Sequence, residues 1–196
     1  MFSFKKKKTV RLQESKLYFH YSAESSTEED LHEMSFILNT CYQSCNEIVF
    51  LCIGSDRSTG DAYGPLVGTM LEESHFPYPV FGTISEPVHA INLEKVLKDI
   101  HSRFTDPMII GVDACLGDHH QIGSILLKEG PFIPGNAIGN PLIEVGTYHL
   151  KAVVNYLDPH FPVNSLNTTR LDTVMNLSKI TSAILLNSVK KVPQTK

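Results

Sequence analysis

The chain has 196 residues, 42% hydrophobic and 19% charged, a balance that supports one core without metal or disulfide staples. A net charge of −4 argues against nucleic acid as the partner, since that binding rests on a positive surface. No run reaches the roughly 18 apolar residues of a membrane span, which argues against a membrane partner.

Residues 1–24 are polar and read as an irregular N-terminal segment, with Lys5-Lys6-Lys7-Lys8 as its one basic block. Nothing there has the apolar stretch of a signal peptide. A single α/β domain is expected over 25–192. Thr27 reads as an N-cap, followed by the acids Glu28, Glu29 and Asp30 that suit a helix start. Leu31, Met34, Phe36, Ile37, Leu38, Cys41 and Tyr42 then recur at helical spacing up to about residue 46. The run 48–53 is apolar throughout and reads as a buried strand. A polar loop over 54–61 leads into a helix over about 64–74, with Pro65 in its first turn, where a missing N–H costs nothing. Residues 79–83 read as a second strand, 92–104 as a helix and 108–112 as a third strand. A strand over 122–128, a Gly/Pro-rich stretch over 130–141 and a strand over 148–156 follow. A long helix over 167–191 closes the chain, expected to pack its Leu171/Val174/Met175 side on the sheet.

Strands that alternate with helices imply a three-layer α/β fold: a mostly parallel or mixed central sheet with helices on both faces. The closely spaced later strands point to an antiparallel portion. The four cysteines read as reduced thiols. Cys41 and Cys45 share a helix face, but no second pair stands at zinc spacing.

Asp61 and Asp113 are the candidates for chemistry. Each follows an apolar strand run, and in an open α/β sheet sites form outside the carboxyl ends of the strands. Two carboxylates that meet there cannot both ionise easily, so one holds a proton while the other acts as a base. Taken alone, Asp61 is better read as an N-cap and Asp113 as a strand-end acceptor of neighbouring N–H groups; the pair together is the sharper signal. The 54–61 loop has neither the Gly-x-Gly-x-x-Gly nor the Gly-Lys-Ser/Thr spacing of nucleotide folds. Its Asp56, Arg57, Ser58 and Thr59 are candidate substrate contacts. Glu86 and His89, in the 83–90 loop, and His119, after the third strand, are further candidates. His120, Asn136 and Asn140 are weaker ones. Cys115 reads first as a small buried hydrophobe.

The segment Gly54-Ser55-Asp56-Arg57-Ser58-Thr59-Gly60-Asp61-Ala62-Tyr63-Gly64-Pro65 resembles the first signature of the YyaC-like sporulation proteins. Glu86-Pro87-Val88-His89-Ala90 and Val112-Asp113-Ala114-Cys115-Leu116-Gly117 continue the resemblance, which covers roughly residues 47–155. Those proteins are similar, more distantly, to the germination protease that degrades small spore proteins and to the endopeptidases that mature nickel-iron hydrogenases. The resemblance implies a phosphorylase/hydrolase-like fold. It also places Asp61 and Asp113 at the protease's two essential aspartates, each in an Asp-Ala context. It implies a peptidase of the sporulating cell or spore cytoplasm, acting on a peptide or spore protein. The groove would lie between the loops at 54–61, 83–90, 115–120 and 130–141. A catalytically silent protein that holds a peptide or small ligand is the alternative. No cofactor is expected. A metal held by the aspartates with His89, His119 or His120 is chemically allowed, but no His-x₃-His or Cys-x₂-Cys spacing supports one. An exposed helix face allows a homo-oligomer.

Overall fold

The computed structural model describes residues 17–22 (backbone only for 17–20), 26–134 and 143–190. The elements in chain order are β1 (Leu17–Ser22), α1 (Glu28–Tyr42), β2 (Ile48–Cys52), α2 (Tyr63–Glu73), β3 (Val80–Phe81), α3 (Leu93–Arg103), β4 (Met108–Gly117), β5 (Ser124–Glu129), β6 (Tyr148–Tyr156), α4 (Pro162–Asn167) and α5 (Leu171–Ser188). A 3₁₀ turn over His119–Gln121 joins β4 to β5.

The six strands form one mixed sheet in the order β1-β5-β6-β4-β2-β3. β3, β2, β4 and β6 run parallel, while β5 is antiparallel to both β6 and β1. All five residues of β2 are buried, as expected of a parallel strand covered on both faces. Alternate residues face opposite ways. Ile48, Phe50, Cys52, Met108, Ile110 and Val112 pack with α1, α2 and α5. Val49, Leu51, Ile53 and Ile109 pack with Leu93, Leu97 and Ile100 of α3, and with Phe132 and Val145.

This topology fixes where a site can form. From β2 the chain crosses through α2 to β3 on one side, then returns through α3 to β4 on the other. The order reverses between β2 and β4, so the crevice at their carboxyl ends is the topological switch point.

Local sequence explains the helix starts. Thr27 closes a capping box: its Oγ1 accepts the Asp30 N–H at 3.4 Å, and Asp30 accepts the Thr27 N–H at 2.6 Å. Four expectations are corrected. Residues 17–22, read as irregular, form edge strand β1 against β5. The third strand does not stop at 112 but continues to Gly117, because β6 pairs along its whole length. The closing helix starts only at Leu171, and a separate α4 precedes it. α5 also does not lay Leu171 on the sheet, for Leu171 is 60% exposed. Val174, Leu177, Ile184 and Leu185 face inward instead, and α5 is bonded to the neighbouring helices. Ser178 Oγ donates to the Tyr63 carbonyl, and Ser35 Oγ donates to the Ile184 carbonyl.

Among the described residues, no helix is long and apolar enough to cross a membrane.

Candidate functional site

The 54–61 loop folds back on its own start. The Ser55 N–H donates to the Asp61 carbonyl at 3.2 Å, and the Gly54 N–H donates to the Val88 carbonyl at 2.8 Å. Gly54 adopts φ +145°, and a Cβ there would overlap the Asp61 carbonyl oxygen. Only glycine takes both that backbone and that contact. The Gly60 N–H donates to the Leu166 carbonyl at 2.9 Å, which ties the far side of the loop to α4. Asp61 is thereby held, half-buried, at the mouth of the crevice.

Asp113 comes from β4. Val112 is in register with Cys52, the last residue of β2, so Asp113 lies just beyond the end of β2. It is 5% exposed. Asp61 acts on Asp113 as a minor contributor. Burial pushes Asp113 up from 3.8 to about 7; the Lys151 charge opposes this, Asp61 adds to it, and the Ala114 N–H opposes it. Burial also raises Asp61, against a hydrogen bond from the Ser55 N–H and the charge of His89. Near neutral pH Asp113 holds a proton for a large share of the time.

The other candidates are spread unevenly. His89 is within electrostatic range of Asp61. Its N–H donates to Asn92 Oδ1 at 2.8 Å, and its Nδ1 accepts the Ile91 N–H at 3.3 Å. That leaves Nε2 as the ring donor. Among the described residues the Ser58 hydroxyl is buried with no hydrogen-bond partner. Asp56 and Arg57 are exposed, and Thr59 is half-buried. Glu86 is exposed, its N–H bound to Thr83 Oγ1 at 3.1 Å. His119 stacks on Tyr156, with ring centroids 4.1 Å apart. Since β4 continues four residues past Asp113, it carries the His119–His120 turn away by roughly 13 Å at the usual strand rise. Asn136 and Asn140 lie outside the described residues.

Three residues that sequence reasoning did not single out lie on the sheet face that carries Asp113 and Gly111. Lys151 is the register partner of Asp113 on β6. His149, 3% exposed, is pushed down to about 4, chiefly by burial. Its Nδ1 donates to the Gly130 carbonyl at 2.9 Å. Phe132 lies against both. The signal was the alternation of polar residues at 149, 151 and 155 within a strand, which marks one polar face. Burial raises the Cys115 thiol to about 11, so it stays neutral and a poor nucleophile.

A cavity of about 720 Å³ runs along α3 past Lys95 to Thr83, Glu86 and His89; Asp61 and Asp113 are not on its walls. His89 is where this cavity adjoins the pair. Among the described residues, no group of three or more His, Cys, Asp or Glu is placed to hold a metal ion.

Residues 19–184 match the family described as protein of unknown function (DUF1256). Over 134 residues, 68% of its length, the chain is 42% identical to "Uncharacterized protein YyaC" of Bacillus subtilis (strain 168). It spans 65% of that relative's length.

Proposed function

The chain belongs to the family described as protein of unknown function (DUF1256), and for this member we propose a ligand-binding function. The crevice between β2 and β4 holds a peptide or small polar ligand by way of Asp61 and Asp113. The observation that carries this reading is the placement of Asp113, 5% exposed and just beyond the end of β2, at the switch point that the Asp61 loop adjoins. A protonated Asp113 donates a hydrogen bond, and Asp61 offers an acceptor beside it. An amide offers the matching acceptor and donor. Ser58 and His89 add contacts along the loop, and the α3 cavity beyond His89 gives an extended ligand room. The likeness of the 54–65 segment to sporulation proteins supports action in the cytoplasm of a sporulating cell or spore.

A second reading, peptide hydrolysis, is favoured by the same raised carboxyl and by the likeness to the germination protease. Asp61 takes a proton from water as the water oxygen attacks the peptide carbonyl carbon. Asp113 gives its proton to the leaving nitrogen as the C–N bond breaks. General acid/base catalysis of this kind is worth about 10² to 10⁴ in rate.

Purified protein mixed with spore-protein extracts and peptide libraries separates the two readings. Binding is followed by calorimetry and cleavage by mass spectrometry, in wild type and in Asp61→Asn and Asp113→Asn. Ligand binding alone predicts intact peptide, with affinity reduced roughly 10- to 100-fold in each variant, the value of a hydrogen bond to a charged group. Products that vanish in both variants establish hydrolysis. Affinity unchanged by both substitutions rules out this crevice.

A further inference from the structure

The face of the sheet that carries Asp113 carries a second built feature. Asp113 and Lys151 are register partners on parallel β4 and β6, so both side chains rise from the same face. Two residues before Asp113, a Cβ on Gly111 would overlap the ring of Phe132, so that ring lies against the bare strand. The Lys151 ammonium sits 4.9 Å from the centroid of the same ring, within cation–π range. On the other side, His149 is tilted against Phe132 with centroids 5.0 Å apart. The lysine is therefore held over a seated ring and beside Asp113. Its charge is the strongest acting on both Asp113 and Cys115.

Despite this position, among the described residues no carboxylate oxygen lies within 4 Å of the ammonium. The ion pairs among the described residues are Lys98–Glu94 and Arg103–Asp99, both on the exposed side of α3. A half-buried cation, propped by a ring and facing a buried carboxyl, is matched by an anionic oxygen. We propose that Lys151 is the anchoring residue of the site, its ammonium holding a carboxylate of the ligand beside Asp113. This rests on the reading of the crevice as a ligand site. It adds a polarity: the carboxylate lies on the β6 side, and the rest of the ligand runs toward Asp61 and His89. That carboxylate belongs either to a peptide C-terminus or to an acidic side chain.

The test uses the full chain with carbon-13 at the lysine ε positions. The probes are acetate, tetraalanine with a free C-terminus, the same peptide amidated, and an amidated peptide with one glutamate. Acetate is expected to shift the Lys151 resonance saturably. Lys151→Gln is expected to weaken the carboxylate probes at least roughly tenfold, and Lys151→Arg to restore most of that loss. The melting temperatures of the variants report folding separately. Binding by the free-acid peptide but not its amide identifies a C-terminus, and binding by the glutamate peptide identifies a side chain. Saturable acetate binding at Lys151 without any peptide binding leaves the lysine's role standing and refutes the peptide reading. Peptide affinity equal in wild type and Lys151→Gln, or a Lys151 resonance that no carboxylate moves, overturns the proposal.

Discussion

Asp113→Asn is expected to raise the unfolding free energy at pH 8 by about 2–4 kcal/mol. The native protein holds the Asp113 carboxyl at about 7 against an ordinary 3.8, and each unit of that difference is about 1.4 kcal/mol between the two protonation states. Below about pH 4 the group is protonated in both native and unfolded chains and has no effect. Between about pH 4 and 7 the native chain keeps a proton that the unfolded chain has released, so stability falls as pH rises. Above 7 the loss is complete, and a neutral amide of the same shape removes it. For a chain of this size the gain corresponds to roughly 5–12 °C in melting temperature.

His149 works in the opposite sense over nearly the same window. Its native value of about 4 lies below the ordinary 6.5. Between these two values the unfolded chain takes up a proton that the native chain refuses, so stability falls as pH drops. The two slopes, each up to about 1.4 kcal/mol per pH unit, nearly cancel in the wild type. Denaturant unfolding across this range is expected to show a shallow profile for the wild type. In Asp113→Asn stability rises with pH, and in His149→Phe it falls with pH. Parallel profiles for all three proteins would contradict the assignment of these two groups.

Gly54→Ala has the second large effect. A Cβ at φ +145° is strained, and it overlaps the backbone oxygen of Asp61 rather than a side chain that can swing aside. Relief requires the loop to move, which breaks the Ser55–Asp61 and Gly54–Val88 hydrogen bonds. The expected cost is about 2–4 kcal/mol, with loss of ligand binding because Asp61 leaves the crevice. Asp56→Ala, on an exposed side chain of the same loop, is expected to stay within about 0.5 kcal/mol of the wild type. Denaturant unfolding of both variants checks the contrast. Equal stability would show that the loop is not locked by Gly54.

The parts of the fold that were legible from sequence are those where a local pattern coincides with the tertiary environment. β2 and the start of β4 read as strands because parallel strands covered on both faces are apolar without interruption. Thr27 and Pro65 read as helix starts because capping and a fixed φ act locally. The three-layer arrangement followed from the alternation of these elements. What stayed hidden depends on contacts between distant segments. The run from Asp113 to Gly117 reads as a loop until β6 is seen beside it. β1 is a short edge strand whose partner stands about a hundred residues later.

The candidate site divides along the same line. Asp61 and Asp113 were singled out because each follows an apolar run in sequence; Asp61 does follow β2, whereas Asp113 lies inside β4, just past the end of β2. His119 is near Asp113 in sequence, and its stacking on Tyr156 depends on β6, which the sequence places far from it. Lys151 and His149 alternate with apolar residues, as a solvent-facing row would. Only the seating of Phe132 on Gly111 turns that row into the floor of a site.

A carbon-13 NMR titration of the aspartate carboxyls reads the action of Asp61 on Asp113. In the wild type, Asp113 is expected to titrate near 7. In Asp61→Asn its midpoint is expected to fall, because the neighbouring negative charge that helps raise it is gone. A midpoint near 3.8 in the wild type, or one that Asp61→Asn leaves unchanged, would contradict the account.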